Sequence, residues 1–333
     1  MHSRALFVAA ALAAASPSFA AGPMGAEWAI AIHGGAGVIS RTGISAEDDK
    51  AIRAALAEAL DAGAQILKSG GSSTDAVVAA VSRLETSPWF NAGIGAVLTS
   101  AGTVELDAAI MDGASQGAGA VTGVTTTLSP IALARTLMDK GPHVFLAGPA
   151  TDAYARTHQL TQVPNSHFVT ERRLKQLQDL RQRNQGASLS LPAELRMGTV
   201  GAVARDVNGN LAAGTSTGGL TGKSPGRVGD APVIGAGTLA DNRCLALSAT
   251  GSGEMFIRAR VASQICDRSR FGGQPLQQAA DEVLAEVKAM GGDGGVILLP
   301  PKGEPLFAFN SAGMYRGRAS GSGLHEIKVY GDE

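Results

Sequence analysis

Strand-like segments of this chain come in neighbouring pairs, and its helical segments are grouped before and after them. Alternating β-compatible residues predict strands over 199–205 and 210–214, joined at Asn208-Gly209, a strong hairpin signal. Residues 295–300 and 306–310 form a second predicted pair. Paired strands with segregated helices are typical of a layered α/β fold rather than a regular βαβ alternation.

The other predicted elements fit this layered arrangement. A strand over 27–33 is expected to end in the glycine loop His33-Gly34-Gly35-Ala36-Gly37. Two further strands are predicted over 105–111 and 244–250. Apolar residues at helical spacing predict helices over 51–67, 74–84, 130–140, 253–267 and 276–290.

The charge balance argues against two classes of partner. Lys and Arg number 28 against 29 Asp and Glu, a formal net charge of −1, so we expect neither nucleic acid nor a membrane surface as a partner. Glycine accounts for 44 of the 333 residues. Because glycine allows unusual backbone geometry, this abundance favours a site built from loops and backbone N–H groups.

The first 20 residues have the pattern of a secretory signal peptide. Arg4 precedes an apolar run of 11 residues, and Ser18-Phe19-Ala20 has small residues where a signal peptidase reads. We therefore expect export to a periplasm-like space after cleavage near Ala20. An oxidising compartment allows Cys244 and Cys266 to pair, but their apolar strand-like and helical surroundings favour two buried thiols.

Residues from about 158 to 198 differ in character from their surroundings. The stretch 171–185 is dense in Arg, Lys and Gln, and 186–192 is small and polar. We interpret the segment as a mobile, exposed connector.

A serine-hydrolase pattern is one candidate for the chemistry. Gly214-Thr215-Ser216-Thr217-Gly218 fits G-x-S-x-G, and chain order permits a triad of Ser216, Asp230 or Asp281, and His325. A nucleophile elbow requires a helix directly after the serine. Residues 218–229 hold five glycines and one proline, so this context is unfavourable.

Gly198-Thr199 is a second candidate, at the boundary between the connector and a β-rich segment. If the chain is cut before Thr199, the new α-amine lies beside the Oγ of the same residue and can accept its proton. One residue then supplies both nucleophile and base. Gly198 would let the scissile bond adopt a strained conformation. Taken alone, the pair favours a simpler interpretation, in which Thr199 merely begins a strand.

The pair is not alone, because it belongs to an ordered series of motifs. The series consists of His33-Gly-Gly-Ala-Gly, Phe90-Asn-Ala-Gly-Ile-Gly95, Glu105-Leu-Asp-Ala-Ala-Ile-Met-Asp-Gly113, Thr199-Val-Gly-Ala-Val-Ala, Thr215-Ser-Thr-Gly-Gly, Gly226-Arg-Val-Gly-Asp230 and Thr250-Gly-Ser-Gly-Glu254. It resembles the plant-type L-asparaginase and isoaspartyl-peptidase family of N-terminal nucleophile hydrolases, over about residues 28–330. The resemblance implies a four-layered αββα fold that cleaves itself at Gly198–Thr199. The α subunit would be 21–198 and the β subunit 199–333.

The resemblance also implies roles for individual residues. Thr199 would be the nucleophile, held in place by Thr217, with Asn91 nearby. Thr250 and Gly251 would form the oxyanion hole, which stabilises charge that develops on the attacked oxygen.

The substrate's free amino-acid end would be read by a pair of charged side chains. Arg227 matches the family's partner for the α-carboxylate, Asp230 matches its partner for the α-amine, and Gly253 would contribute through its backbone. A guanidinium fork fits a carboxylate, and a carboxylate fits an ammonium group. By themselves, Arg227 and Asp230 would favour a simpler interpretation, a local salt bridge in a glycine loop.

No cofactor is expected for catalysis, but a structural sodium ion is implied. Its ligands would be backbone carbonyls, and hard oxygen ligands suit such a cation. They belong to Leu84, Glu85, Ser87, Phe90, Ala92 and Ile94.

The resemblance implies an exported amidohydrolase acting on small molecules. Its substrates would be β-aspartyl dipeptides and L-asparagine, and its assembly a dimer of αβ units, (αβ)2. A glycosylasparaginase-like hydrolase and an uncleaved binder of aspartate-like ligands remain as alternatives.

Overall fold

Two β-sheets form the centre of the structure, a computed structural model that describes residues 27–37, 39–183 and 198–333. Within these residues the strands build one eight-stranded and one four-stranded sheet. The larger sheet has the spatial order β12 (His325–Tyr330), β11 (Gly313–Ser320), β1 (Ala29–Gly37), β5 (Val200–Arg205), β6 (Leu211–Thr217), β2 (Leu106–Asp112), β3 (Ala118–Val124) and β4 (Phe145–Ala147). The smaller has the order β10 (Leu306–Phe309), β9 (Gly294–Leu299), β8 (Leu245–Gly251) and β7 (Thr238–Asp241).

Most strand pairs are antiparallel, and β3 with β4 is a parallel pair. The predicted hairpin is formed by β5 and β6, and the second predicted pair by β9 and β10. These observations confirm the α/β class and both strand pairings.

The helices lie in two groups along the chain. The first group is α1 (Ala46–Lys68), α2 (Ser73–Glu85), α3 (Pro130–Lys140), α4 (Pro149–Thr157) and α5 (Glu171–Gln182), with a short 3₁₀ helix at Asn165–Phe168. The second is α6 (Gly253–Ala259), α7 (Val261–Arg270) and α8 (Leu276–Ala289). Several helices begin at serine caps, as at Ser129, whose hydroxyl accepts from the N–H of Ala132.

Three apolar clusters hold these elements together. One joins α1, α2 and α3 to the eight-stranded sheet, and a second joins α6, α7 and α8 to the four-stranded sheet. The third lies between the sheets and includes Ala31, Val203, Ala213, Ala246 and Ile297. Because side chains alternate across a strand, each central strand contributes to two of these clusters.

The predicted loop at residues 33–37 is wrong, because β1 continues through Gly37. The register with β11 shifts between His33 and Gly35, so the glycines accommodate a bulge within the strand. The predicted helix 253–267 is two helices, since Arg260 adopts a left-handed conformation with φ 51° between α6 and α7.

The connector is also more ordered than expected over part of its length. Phe168 is fully buried, and α5 buries Arg173, Leu177 and Leu180. The helix has few apolar residues, but it packs because Arg173, Leu177 and Leu180 lie on one side at helical spacing. Residues 184–197, the rest of the expected connector, lie outside the described residues, as do residues 1–20 with the predicted signal peptide.

The two cysteines form a disulfide that links Cys244, before β8, to Cys266 in α7. The expectation of two buried thiols is therefore wrong. Each cysteine has an apolar environment as predicted, and the fold brings their Cα atoms to 5.5 Å, a distance that a disulfide spans.

Among the helices of the described residues, none has the length and apolar character needed to cross a membrane.

Candidate active site

The hydroxyl groups of Thr199 and Thr217 meet at the start of β5 and the end of β6. Val200 pairs with Ser216 in the antiparallel register, which places the residues on either side of that pair opposite each other. The two Oγ1 atoms lie 3.0 Å apart. Thr217 Oγ1 also accepts the N–H of Gly219 at 3.0 Å. Thr217 therefore has a fixed hydroxyl directed at Thr199.

Gly198 passes through a narrow space just before Thr199. Its φ is +115°, a conformation that L side chains rarely adopt, and a Cβ added at Gly35 would overlap the Gly198 backbone. The carbonyl oxygen of Gly198 accepts the N–H of Asn91 at 3.0 Å. The carbonyl of the expected scissile bond is thus held by a backbone donor.

The side chain of Asn91 is used to hold the loop on which it lies. Its Nδ2 donates to the carbonyl of Gly219 at 2.7 Å, and its Oδ1 accepts from the N–H of Val97 at 2.9 Å. Its own carbonyl accepts the N–H of Gly218 at 3.0 Å. Asn91 therefore ties the Gly198 segment to the turn after Thr217.

The guanidinium of Arg227 is held by Glu254 of α6. Nε and Nη2 donate to the two carboxylate oxygens of Glu254, both at 2.9 Å. Burial acts to raise the pKa of Glu254, but the hydrogen bonds and charge of Arg227 hold it below the usual value. The remaining nitrogen, Nη1, lies against Gly219 and Gly229. The edge of the guanidinium that carries Nη1 is thus left for a ligand.

Asp230 is buried beside this guanidinium. Its Oδ2 has no hydrogen-bond partner among the described residues, and burial raises its pKa to about 7. A buried carboxylate without a cation in contact is costly. Gly253 leaves room for the pair, since a Cβ there would come within 3.0 Å of both Arg227 and Asp230.

A single small pocket collects most of the expected site residues. It is lined by Gly198, Thr199, Thr217, Gly219, Leu220, Arg227, Gly229, Asp230, Thr250 and Gly251. The cavity volume is about 10 Å³, close to the space of one water molecule. A pocket of this volume has no room for a dipeptide.

Sequence comparison assigns this site to a family. The family model described as asparaginase matches residues 26–329. The chain belongs to the asparaginase family. The resemblance inferred from the sequence motifs is thereby confirmed.

Relatives from bacteria and plants cover most of the chain. An isoaspartyl peptidase from Salmonella typhimurium is 46% identical over 86% of this chain and 93% of the relative. An isoaspartyl peptidase from Escherichia coli is 45% identical over 86% and 91%. A probable isoaspartyl peptidase/L-asparaginase 2 from Arabidopsis thaliana is 39% identical over 91% and 99%.

In this asparaginase-family chain, the serine-hydrolase residues lie apart. Ser216 faces away from Thr217 on β6, and its Oγ donates to buried Glu85 at 2.7 Å. His325 lies on β12 at the sheet edge and contacts Asp61 at 2.8 Å. Asp281 lies on α8, so the triad is not assembled.

The loop after α2 brings carbonyl oxygens close together. A Cβ added at Gly95 would lie 2.7 Å from the carbonyl oxygen of Pro88 and 2.9 Å from that of Phe90, and one at Gly93 would overlap that of Glu85. The carbonyl oxygens of Pro88 and Phe90 thus approach the same point at Gly95, whereas that of Glu85 accepts the N–H of Ile94 at 2.8 Å. Arg172 also reaches the loop, donating to the carbonyl of Trp89 at 2.9 Å.

Sequence reasoning assigned no role to two groups next to the site. Glu254 is the last residue of the final motif, but no role was predicted for it from the sequence. An acidic residue three positions after Gly251 can serve as a partner for Arg227. The sequence predicts that His33 begins a loop. In the structure, Nδ1 of His33 lies 3.1 Å from the carbonyl oxygen of Thr199. Only the antiparallel pairing of β1 with β5 reveals that contact.

Proposed function

We propose that this protein is a threonine-dependent isoaspartyl peptidase and L-asparaginase that first cleaves its own chain. Its substrates are β-aspartyl dipeptides with a free N-terminus and L-asparagine. The products are L-aspartate and an amino acid or ammonia. The names of the bacterial and plant relatives support this substrate class, and the pairing of Thr199 with Thr217 at 3.0 Å is the observation that carries it.

Self-cleavage begins with attack of Thr199 Oγ on the carbonyl carbon of Gly198. The Oγ–C bond forms, the peptide C–N bond breaks, and the nitrogen takes up a proton to become the free amine of Thr199. Water then hydrolyses the resulting ester and releases the carboxylate of Gly198. The N–H of Asn91 on the Gly198 oxygen would stabilise the charge that develops there.

Turnover uses the same hydroxyl in a second role. The freed α-amine accepts the proton of Thr199 Oγ, which attacks the side-chain carbonyl of the aspartyl group. The leaving amine takes the proton, and water then hydrolyses the acyl-enzyme. Thr250 and Gly251, at the end of β8 in the same pocket, supply donors to the oxyanion.

The specificity for a β-linkage follows from the charged pair. Arg227 binds the α-carboxylate through the guanidinium edge that Glu254 leaves open, and Asp230 binds the α-ammonium group. The unpartnered, buried Oδ2 of Asp230 supports this role, because an ammonium group would supply its missing partner. With both α groups held, the side-chain carbonyl is the one presented to Thr199.

Several features complete the proposal. The helix groups and the two sheets form the four-layered αββα sandwich of N-terminal nucleophile hydrolases, and two αβ units associate as (αβ)2. Residues 1–20 direct export to the periplasm. A sodium ion is held by the carbonyls of the loop after α2, and the close approach of the Pro88 and Phe90 oxygens to Gly95 supports it. Its charge would stiffen the loop that carries Asn91.

Intact mass and N-terminal sequencing of the purified protein test the central step. We expect a fragment that begins Thr199-Val200-Gly201 and contains 135 residues, the number from 199 to 333 inclusive. Thr199→Ala should abolish both the fragment and the release of aspartate from β-aspartyl dipeptides. Turnover by uncut Thr199→Ala would overturn the mechanism. A wild-type chain that remains uncut would instead favour the uncleaved binder of aspartate-like ligands.

A further inference from the structure

A line of buried hydroxyl groups ends at the imidazole of His33. Thr238 Oγ1 lies 2.6 Å from Thr215 Oγ1, which lies 2.6 Å from Ser248 Oγ. Ser248 Oγ lies 2.9 Å from Nε2 of His33. We call these four side chains the relay. It crosses between the sheets, because His33 and Thr215 belong to the larger sheet and Ser248 and Thr238 to the smaller.

The relay interrupts an otherwise apolar layer. Neighbours on the same strand faces are Ala31, Ala213 and Ala246, which belong to the apolar cluster between the sheets. All four relay side chains are buried. Burying polar groups is costly unless each is hydrogen-bonded, so packing alone would favour apolar residues at these positions.

The direction of the hydrogen bonds follows from the last acceptor. The carbonyl oxygen of Thr199 can only accept, so Nδ1 of His33 donates to it at 3.1 Å. Burial lowers the pKa of His33 to about 3, and the neutral ring then accepts at Nε2. Ser248 must therefore donate to His33, and Thr215 to Ser248. The tautomer that serves Thr199 therefore needs a donor at Nε2, and Ser248 supplies it.

The contact with His33 gives Thr199 a second anchor. After the proposed cleavage Thr199 is a chain terminus, free to rotate about its Cα–C bond. Thr217 holds the hydroxyl of Thr199 and His33 holds its carbonyl. Together the two hydrogen bonds restrict rotation about the Cα–C and Cα–Cβ bonds, and the Cα–Cβ torsion sets the orientation of the α-amine relative to Oγ.

We infer that His33, oriented by Ser248 and Thr215, is a positioning residue that holds the Thr199 carbonyl so that the α-amine of Thr199 can take the proton of its Oγ. The inference rests on the proposed function, since it assigns His33 a part in that reaction.

The space around the relay supports this role. A Cβ added at Gly201, which pairs with His33 across β1 and β5, would overlap Ser248 Oγ and would come within 2.5 Å of His33 Nε2. Only glycine at that position lets the imidazole reach Ser248. The far end of the relay lies next to the substrate-binding pair, because Thr238 Oγ1 is 2.9 Å from the carbonyl oxygen of Ala231.

Two amide substitutions of His33 separate positioning from packing. In His33→Asn the amide N–H lies roughly where Nδ1–H lies, whereas in His33→Gln the amide reaches the position of Nε2. We expect His33→Asn to keep kcat within about fivefold of wild type and His33→Gln to lose about 100-fold, with KM changed less than about twofold. Rates for β-aspartyl dipeptide hydrolysis are divided by the cleaved fraction from intact mass.

Ser248→Ala and Ser216→Ala form a matched pair. Each substitution removes one buried hydroxyl. Ser248 lies in the layer between the two sheets, whereas Ser216 lies on the opposite face of the larger sheet and donates to Glu85 rather than to the relay. Both should lower Tm. Ser248→Ala alone should lower kcat, by about tenfold, because the ring of His33 then loses the hydrogen bond that orients it at Nε2.

Each outcome bears on one hypothesis. Wild-type kcat in both His33→Gln and Ser248→Ala would overturn the inference alone, as would equal losses in the Asn and Gln variants. If His33→Gln does not unfold cooperatively, the inference is tested by the difference in kcat between Ser248→Ala and Ser216→Ala. A wild-type protein that neither cuts itself nor hydrolyses the dipeptide would overturn the proposed function first, and the inference with it.

Discussion

Thr217 holds the hydroxyl of Thr199 at 3.0 Å while its own oxygen accepts the N–H of Gly219. Thr217→Val removes both contacts with little change of shape. We expect kcat per cleaved chain to fall about 100-fold, since a nucleophile displaced by about 1 Å loses that much, while KM stays nearly constant. Single-turnover kinetics on the cleaved protein measure this, and an unchanged kcat would show that Thr217 does not orient Thr199.

Arg227 is expected to affect substrate binding but not self-cleavage. Its guanidinium lies in the pocket beside Asp230 and does not contact Gly198. Arg227→Ala should give a normal amount of the Thr199 fragment and raise KM for β-aspartyl dipeptides at least about tenfold, the scale of one lost charge-assisted hydrogen bond. Glu254→Gln, which keeps the shape of the partner, serves as the milder variant. Loss of the fragment in Arg227→Ala would contradict this division of roles.

Asp230 should give the pH profile of kcat/KM an acidic limb. Its pKa is raised to about 7 by burial, so below that pH the carboxyl group is neutral and no longer attracts an ammonium group. We expect kcat/KM to fall as pH decreases through about 7, because this ratio reports groups of the free enzyme. The α-amine of Thr199 must also be unprotonated to accept the proton of Oγ, so the limb should be steeper than a single ionisation. In Asp230→Asn we expect the logarithm of kcat/KM to change with pH with a slope of one in the acidic limb, because one ionisation remains.

Glu85 should make the protein less stable as the pH rises. Burial raises its pKa from 4.5 to about 7 despite hydrogen bonds from Ser129 and Ser216. Between these values the folded state binds more protons than the unfolded state, so its contribution to stability is full below about pH 4.5 and is lost as pH rises through about 7. Glu85→Gln should remove up to about 3 kcal/mol of that dependence. Urea unfolding at pH 5 and pH 8 measures the free energy of unfolding of both proteins. The same change in that free energy between the two pH values in wild type and Glu85→Gln would contradict the prediction.

The Cys244–Cys266 disulfide should stabilise the half of the molecule built on β8 and α7. It closes a loop of 22 residues, and its loss should reduce the free energy of unfolding by about 3 kcal/mol. Cys244→Ser with Cys266→Ser, compared with the wild type under oxidising and reducing conditions, tests this. Reduction should destabilise the wild type and leave the double variant unchanged. Two free thiols in the oxidised wild type would show that the bridge is absent.

Local signals predicted some elements well. The helix predicted over 130–140 has those bounds in α3, because Ser129 caps it, Pro130 is its first residue and Gly141 follows it. The hairpin at Asn208-Gly209 was equally clear. The strands β3, β4, β7, β11 and β12 were not predicted; β4 and β7 are short, and β3 and β11 are rich in glycine and small residues.

The sequence by itself determined the α/β class, the family and most of the residues that line the candidate site, because glycine turns, helix caps and motif order are properties of neighbouring residues. Only the tertiary structure decided which of those residues meet. The contacts of His33 with Thr199 and of Ser216 with Glu85, and the pairing of Cys244 with Cys266, depend on strand register and on the packing of one layer against another. Register places alternate residues on opposite faces of a strand, so a shift of one residue would exchange Thr217 for Ser216 at the pocket.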